Sequence, residues 1–357
     1  MFTSYSLDAL KDGLLPFLWV LCHLFLRRFG IPQPLIEAMA GLMNERRFYV
    51  RDCGHVSEER HQRSGITQGC ALSPLLFVTV MSVLMTDAVD LLSESARAAY
   101  KHGSLADLAF ADDTLLMGVS LPHLTEFLQA VSSCGSHYGM SLHYDKFQLL
   151  QIHCEDDFIF PDGQRLKAAE SMDYLGTALS ADGRASSELC RRIGMAKADF
   201  NSLSKVWKHS SLSRRRKVHL YSSMIESKLL YGLSALVLTK ADRRKLDGFQ
   251  ARCLRRACGI LPSWLCRVSN NQVLEKAEHT KASILLQRRQ LLYLGKILRA
   301  PCDSPLKSVS LDGDTLLPAT ARYIRRIGRP RLEWSSKSNK DESDPYRSLF
   351  PWLLETS

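Results

Sequence analysis

Apolar residues concentrate in a few long stretches of the chain, and the spacing within each stretch predicts the element that it forms. From Leu75 to Leu92 apolar residues dominate and neither Gly nor Pro interrupts them, which predicts a long and mostly buried helix. Ser73 suits the N-cap of this helix, and Pro74 suits its first helical position. Up to about residue 183 the spacing predicts mixed helices and strands, and beyond it mainly helices.

One short stretch, residues 108–116, sets Asp112 and Asp113 in the middle of an otherwise apolar run. The apolar residues on both sides predict two short strands, and the Ala-Asp-Asp between them predicts the tight turn of a hairpin. Unpaired charge is costly to bury, so both carboxylates are expected at the tip. Carboxylates held on a rigid hairpin are suited to Mg²⁺ and phosphoryl chemistry, although a solvated Asp-Asp turn is the plainer alternative.

A loop with two glycines lies about forty residues before this hairpin and runs into the predicted long helix. Gly65 and Gly69 leave room for a sugar, base or phosphate close to the backbone, and Gln68 adds a donor and an acceptor there. An ordinary loop and helix start is the alternative. The combination of loop, helix and Asp-Asp hairpin is rarer than its parts and indicates the palm of a polymerase.

Four segments in order resemble motifs of the reverse transcriptases of non-LTR (LINE-like) retrotransposons. Residues 65–77 resemble motif B, 110–113 motif C, 138–146 motif D and 174–179 motif E. Similarity continues through residues 191–200, 228–232, 249–256, 294–299 and 328–334. The resemblance therefore covers most of the chain after about residue 27.

The resemblance implies an RNA-directed DNA polymerase that works on an RNA template, a DNA primer and dNTPs with Mg²⁺ (or Mn²⁺). Asp112 would be the principal metal ligand and Asp113 the auxiliary one. Lys146 would lie near the pyrophosphate as a general acid, and a solvated strand-end lysine is equally compatible with the sequence. The remaining implied roles are substrate binding by Gln68, Gly69, Phe110 and Ala111, and primer grip by Tyr174, Leu175 and Gly176.

Motif A, which supplies the family's other metal-binding aspartate, is not recognisable. Its place holds residues 6–13, where Asp8 or Asp12 would be the remnant, and the family's Asp-x-x-x-Ala-Phe-Asp pattern is missing. The fingers that precede motif A are missing as well, so we expect a polymerase truncated at its N-terminus. Two-metal transfer needs carboxylates from two strands, so we expect impaired activity. The alternative is a catalytically inert relic that only binds nucleic acid.

The net charge of +10 is distributed unevenly. Residues 1–150 hold eleven Lys and Arg against fifteen Asp and Glu, whereas residues 184–256 hold eighteen against five. A basic surface on one element suits phosphate contacts. The densest run comprises Arg214, Arg215, Arg216 and Lys217, for which a solvated helix start or a nuclear localisation signal is an equally good interpretation. For Trp207 and Tyr221 we favour core packing over base stacking.

Together these features predict an α+β fold, in which a partial palm of antiparallel sheet and packed helices precedes a mainly helical thumb and a C-terminal extension. The predicted segments are a divergent N-terminus (1–30), the palm with motifs B to E (31–183), a basic thumb (184–260), a helical extension (261–334) and a flexible tail (335–357). The ten cysteines show no zinc spacing and fit a nuclear or cytoplasmic protein. The apolar run of residues 13–26 is too short to cross a membrane comfortably.

Overall fold

The computed structural model divides into two compact units, Met1–Asp182 and Gly183–Ser357. It describes residues 2–8, 17–43, 46–61, 69–152, 154, 157–160, 163–182, 185–209, 211–301 and 304–311, with the backbone alone for residues 2–8 and 17–22. The division lies within one residue of the boundary predicted between the palm (31–183) and the thumb (184–260). The predicted tail (335–357) lies outside the described residues.

The first unit alternates helices with short strands. In chain order its elements are β1 (Phe2–Asp8), α1 (Phe17–Arg28), α2 (Gln33–Met43), β2 (Arg47–Phe48), β3 (Arg51–Asp52), β4 (His55–Val56), β5 (Arg60–His61), α3 (Ser73–Asp90), α4 (Glu94–Lys101), β6 (Leu105–Phe110), β7 (Asp113–Gly118), α5 (Leu121–His137), β8 (Ser141–Leu142), β9 (Gln148–Leu150), β10 (Phe158–Ile159), β11 (Arg165–Leu166), β12 (Ala168–Ala169), β13 (Ser171–Tyr174) and β14 (Thr177–Ser180).

One mainly antiparallel sheet forms the centre of this unit. Its strand order is β12-β9-β1-β7-β6, and β8 also pairs with β1. β1 is antiparallel to both β7 and β9, β6 is antiparallel to β7, and only the short β12 runs parallel to its neighbour. The catalytic candidates of β6 and β7 therefore lie at one edge of the sheet, with β1 directly beside them.

Helices α3 and α5 cover this sheet with a shared apolar core. Leu84 of α3, Phe127 of α5 and Leu116 of β7 are fully buried in it. The predicted long helix is confirmed, but the prediction of Ser73 as N-cap is wrong by one residue. The N-cap is Leu72, whose backbone is already helical, and Ser73 instead bonds to the carbonyl of Cys70 in the preceding turn (3.2 Å).

α3 is long and apolar enough to cross a membrane, the one such helix in the part of the chain that the structure describes. Half of it is buried inside the first unit, however. Its apolar character therefore serves the core that holds the sheet.

The elements described in the second unit are all helices, joined by loops. Its helices are α6 (Ala185–Ser202), α7 (Ser204–Lys208), α8 (Arg214–Leu220), α9 (Ser227–Leu229), α10 (Lys240–Ala257), α11 (Asn270–Ala277), α12 (Ala282–Leu298) and α13 (Pro305–Ser310). A π-helical turn over Tyr221–Glu226 joins α8 to α9, and a 3₁₀ turn spans Leu233–Ala235.

A single core runs through α6 to α12. Leu246 of α10, Val273 of α11 and Leu286 of α12 belong to the same apolar cluster, so the predicted boundary at residues 260 and 261 does not separate two cores. Trp207 and Tyr221 are buried in this cluster, and the Trp207 ring stacks on Phe200 with centroids 4.8 Å apart. Our preference for core packing of these two rings is confirmed.

Candidate functional site

The Asp-Asp pair lies at the tip of a hairpin, as predicted. Phe110 of β6 pairs with Asp113 of β7, which leaves Ala111 and Asp112 as a two-residue turn. Ala111 has a left-handed backbone (φ 54°), a conformation that a small residue adopts at moderate cost in a tight turn. Asp112 and Asp113 are both exposed, and Phe110 is 63% exposed beside them. The hairpin thus presents two carboxylates and one aromatic ring to solvent.

β1 lies directly against this hairpin, at the place where the sequence shows no recognisable motif A. Ser6 of β1 pairs with Asp113 of β7, and the two strands are antiparallel. Asp8, the last residue of β1, follows two residues later, about 7 Å along the strand and level with the Ala111-Asp112 turn. Its backbone is therefore adjacent to the carboxylate turn, whereas Asp12 lies outside the described residues.

The motif E segment forms a second hairpin, which packs onto the first. Tyr174 of β13 pairs with Thr177 of β14, and the turn residues Leu175 and Gly176 both have positive φ (49° and 72°), as a type I′ turn requires. The Tyr174 hydroxyl donates to the Leu108 carbonyl of β6 (3.2 Å). Burial and the negative charges of Asp113 and Asp107 raise the pKa of Tyr174, which places its ring near the catalytic candidates.

We predict that Tyr174→Phe weakens binding of a primed template while leaving the fold intact. The variant keeps the ring and loses one hydrogen bond, whose contribution of about 0.5–1.5 kcal/mol corresponds to roughly twofold to tenfold in affinity. Titration of primed template in a gel shift measures the change, with Tyr49→Phe as control because Tyr49 is exposed on a separate hairpin. Equal affinities for wild type and Tyr174→Phe would show that the hydroxyl does not hold the two hairpins in register for substrate.

Lys146 does not lie on a strand, contrary to the motif D prediction. It ends a 3₁₀ turn, Tyr144–Lys146, and is exposed. The reason is aromatic packing: Tyr144 and Phe147 both contact Phe160, with centroids 4.8 and 5.1 Å apart, and a tight turn brings side chains three positions apart to one side. The preceding glycine turn is present at Gly139 (φ 71°). The general-acid role of Lys146 stays a prediction.

Only part of the motif B loop is described. Gln68 and Gly65 lie outside the described residues, whereas Gly69 has φ 84° and, its chain neighbours aside, no atom of the described residues within 4 Å of where a Cβ would stand. Open space at this backbone suits close approach of a ligand. Sequence reasoning overlooked Cys70, whose thiol pKa is lowered to about 7 by hydrogen bonds from the Leu72 backbone and the Arg46 side chain. Its place just before α3 gives a reactive thiol at the edge of this loop.

The basic run of the second unit is only partly available for phosphate. Arg214, Arg215 and Arg216 are exposed in the first turn of α8, which Ser213 caps by accepting from the Arg216 amide (3.4 Å). Lys217 is half-buried and donates to the Trp207 carbonyl at the end of α7 (2.8 Å). Its ammonium therefore also holds the end of a neighbouring helix, and its part in nucleic-acid binding stays a prediction.

Other cations of this unit are also engaged inside it. Arg192 is 3% exposed and pairs with Glu188 (2.6 Å), and Arg255 is buried and donates to the Val268 carbonyl (2.6 Å). Of residues 184–256, two of the eighteen basic ones are therefore buried, but so are three of the five acidic ones, Glu188, Glu226 and Asp242, and the excess of positive charge remains at the surface. His279 contacts Ser222 (2.8 Å) and Gln250 (3.3 Å). Within the described residues no group of three or more His, Cys, Asp or Glu side chains forms a metal site.

Comparison with known proteins places the hairpins in a family. The sequence model of the family described as reverse transcriptase (RNA-dependent DNA polymerase) matches residues 24–179, which include the Asp-Asp hairpin and most of the motif E hairpin but not β1. A transposon-derived protein of Caenorhabditis elegans is 28% identical over 162 residues, which are 44% of this chain and 58% of that protein. The Pol polyprotein of the type-1 retrotransposable element R2 of Popillia japonica is 22% identical over 245 residues, 65% of this chain and 38% of the polyprotein.

The matched region coincides with the unit that carries the Asp112-Asp113 turn. The chain spans about three fifths of the first of these relatives and two fifths of the second, so each comparison concerns a part of a longer protein. The order of motifs B to E agrees with the family match, and the motif C and motif E hairpins both lie inside the matched unit. Residues 24–179 therefore match the reverse transcriptase family, and the names of the two relatives are consistent with the reverse transcriptase domain of a non-LTR retrotransposon.

Proposed function

We propose that this chain is the palm and thumb region of an RNA-directed DNA polymerase that extends a DNA primer along an RNA template with dNTPs. The observation that carries the proposal is the register of β1. Its last residue, Asp8, ends beside the turn that presents Asp112, so two separate strands bring aspartates to one point of the sheet. Such an arrangement is what two-metal nucleotidyl transfer requires.

The residues at this point fit Mg²⁺ (or Mn²⁺). Asp112 and Asp113 are exposed carboxylates, and hard divalent cations prefer oxygen ligands in sites that stay open to water and substrate phosphates. Bound there, the metal would assist attack by the primer hydroxyl and stabilise the departing pyrophosphate. In this proposal Asp112 is the principal ligand, Asp113 the auxiliary one, and Asp8 contributes from the second strand.

The surrounding residues position the substrates. Phe110 and Ala111 flank the carboxylates at the hairpin tip, where a ring and a small residue suit contact with a nucleotide. Tyr174 joins the motif E hairpin to β6, so the segment proposed to grip the primer shares a rigid contact with the catalytic turn. Holding the primer end near the carboxylates is the main contribution of such a site to the reaction rate.

Extension is expected to be slow, because Asp8 is followed by Ala9 and Leu10 rather than by the rest of the family's motif A pattern. The test is incorporation of dNTPs on a primed RNA template with Mg²⁺, compared between wild type and Asp8→Asn. Slow, template-dependent extension that Asp8→Asn abolishes supports the proposal. Salt-dependent binding without any extension, in Mg²⁺ or Mn²⁺, would instead establish the alternative, an inert relic that keeps nucleic-acid binding.

Binding itself is expected to depend on the exposed arginines of α8. Replacing Arg214, Arg215 and Arg216 by alanine should weaken duplex binding and flatten its salt dependence by up to about 3 in the log–log slope, since each lost phosphate contact removes about one released counterion. Gel shifts over a range of salt concentrations measure this slope. Lys217 is kept, because it stabilises the end of α7.

The matched control removes the same charge from elsewhere on the unit. Lys197, Lys205 and Lys208 are exposed on α6 and α7, and their triple alanine variant should change the slope less. An equal effect of both triple variants would mean that diffuse charge, and not the α8 run, binds the duplex. No effect of the arginine variant would make the run a solvated helix start or a localisation signal.

A further inference from the structure

The loop between α10 and α11, residues 258–269, carries a strongly exposed aromatic side chain, that of Trp264. Trp264 is 83% exposed, and Leu261 and Leu265 beside it are 58% and 65% exposed. Exposure of a large apolar ring to water is unfavourable, and tryptophan is normally largely buried. Trp207, by contrast, is 2% exposed in the core of the same unit. The position of Trp264 therefore calls for a partner.

The loop is rigid, because a buried arginine holds it from inside. Arg255 donates to the carbonyls of Leu261 (3.3 Å) and Val268 (2.6 Å) and to the Asn270 side chain (3.2 Å). The amides of Leu265 and Cys266 both donate to the Pro262 carbonyl (3.0 and 3.1 Å). A capping box at Ser269 then fixes the start of α11. A preorganised loop loses little entropy when it binds a ligand, so Trp264 is presented ready for contact.

The charge around the loop favours a polyanion. No Asp or Glu occurs from residue 248 to residue 274, a stretch that contains four arginines. Of these, Arg252, Arg256 and Arg267 are exposed, and only Arg255 is buried in its structural role. Trp264 thus lies in a stretch of sequence with three exposed arginines and no acidic residue, a combination that suits single-stranded nucleic acid, since bases stack on an aromatic ring while the backbone meets arginines.

The size of the patch argues against a protein partner. Three side chains on one loop tip fall far short of the roughly 800 Å² that each partner buries in a stable protein complex. One stacked base, in contrast, contributes about 1–3 kcal/mol and needs only one ring. We propose that Trp264, in the second unit, is a stacking platform for an unpaired base of single-stranded RNA or DNA. The proposal shares with the proposed function only the premise that the chain binds nucleic acid.

The test compares Trp264→Phe, which keeps an aromatic face, with Trp264→Leu, which keeps apolar area alone. Binding of a short unstructured RNA oligonucleotide by the full chain is measured at several salt concentrations, and the DNA oligonucleotide of the same sequence forms a second arm. Trp264→Leu should bind about tenfold more weakly, the loss of one base stack, with an unchanged salt slope. Trp264→Phe should stay within about threefold of wild type, because the ring remains. Leu292→Ala, at another exposed apolar residue, is the control and should bind as wild type does.

An oligonucleotide with abasic sites identifies the interaction as stacking. Wild type should lose affinity for it, whereas Trp264→Leu should bind it and the intact oligonucleotide equally. If Trp264→Leu binds the intact RNA and DNA as tightly as wild type at every salt concentration, the stacking proposal is wrong. The proposed polymerase function is unaffected by that result. Failure of wild type to bind any oligonucleotide would contradict both proposals. Circular dichroism of each variant confirms that the loop change leaves the helices folded.

Discussion

Replacing Asp112 by asparagine is expected to reduce primer extension by at least about 100-fold, since even groups that only support a metal ligand are worth 10–100-fold. The substitution keeps the shape of the side chain and removes its negative charge at the tip of the β6–β7 hairpin. Because Asp112 is exposed in a two-residue turn, the fold should not change. Single-nucleotide incorporation on a primed RNA template measures the effect, and gel shifts with the same template should show unaltered binding.

Two further variants make this result specific. Asp8→Asn should cause a comparable loss if β1 supplies the second carboxylate, because Asp8 lies level with the turn by strand register. Asp52→Asn is the control, since Asp52 is exposed on a separate two-stranded sheet and should leave the rate unchanged. Undiminished extension by Asp112→Asn would contradict the assignment of the hairpin as the catalytic centre.

The second large effect is on stability: Glu188→Ala should lower the free energy of unfolding of the second unit by about 3–5 kcal/mol. Glu188 is 1% exposed and accepts from Arg191 (2.7 Å) and Arg192 (2.6 Å). Arg192 is 3% exposed and also lies over the Tyr231 ring (4.7 Å). Removing the Glu188 carboxylate leaves the Arg192 guanidinium buried without this ion pair. The loss of such a buried pair costs far more than the loss of an ion pair at the surface.

Urea unfolding of the full chain, followed by circular dichroism, measures this loss. Glu275→Ala is the matched control, because Glu275 is exposed on α11 and its removal should change stability by less than about 0.5 kcal/mol. The double variant Glu188→Leu/Arg192→Met should recover much of the loss, since it removes both buried charges. A Glu188→Ala variant as stable as the control would show that Arg192 finds solvent or another acceptor.

Strong local signals explain which parts of the site the sequence predicts. The Asp112 and Gly176 turns each join two short strands through two residues, and such hairpins are determined locally by turn chemistry. β1 was missed because residues 2–8 lack clear alternation and take their place from pairing with β7 and β9, which is a tertiary effect. Lys217 and Arg192 were counted as surface charge for a similar reason: composition records charge but not the carbonyl or carboxylate that engages it.

The position of β1 favours Asp8 as the remnant of motif A. The family match begins at residue 24 and does not reach Asp8, which the strand pairing places beside the Asp112-Asp113 turn. An activity assay shows only whether Asp8 affects the rate of extension, not whether it binds the metal. Locating the bound metal ion tests directly whether the ion lies near Asp8.

Cleavage by bound iron is the most direct test of the central claim that β1 and the Asp112-Asp113 turn share one metal site. Fe²⁺ takes the place of Mg²⁺, and hydroxyl radicals generated with ascorbate and peroxide cut the backbone close to the bound ion. We predict cuts at two places, the end of β1 near Asp8 and the turn at residues 111–113, both competed by Mg²⁺ and both lost in Asp112→Asn. Cuts at the turn without cuts in β1, or cuts that persist in Asp112→Asn, would contradict the account.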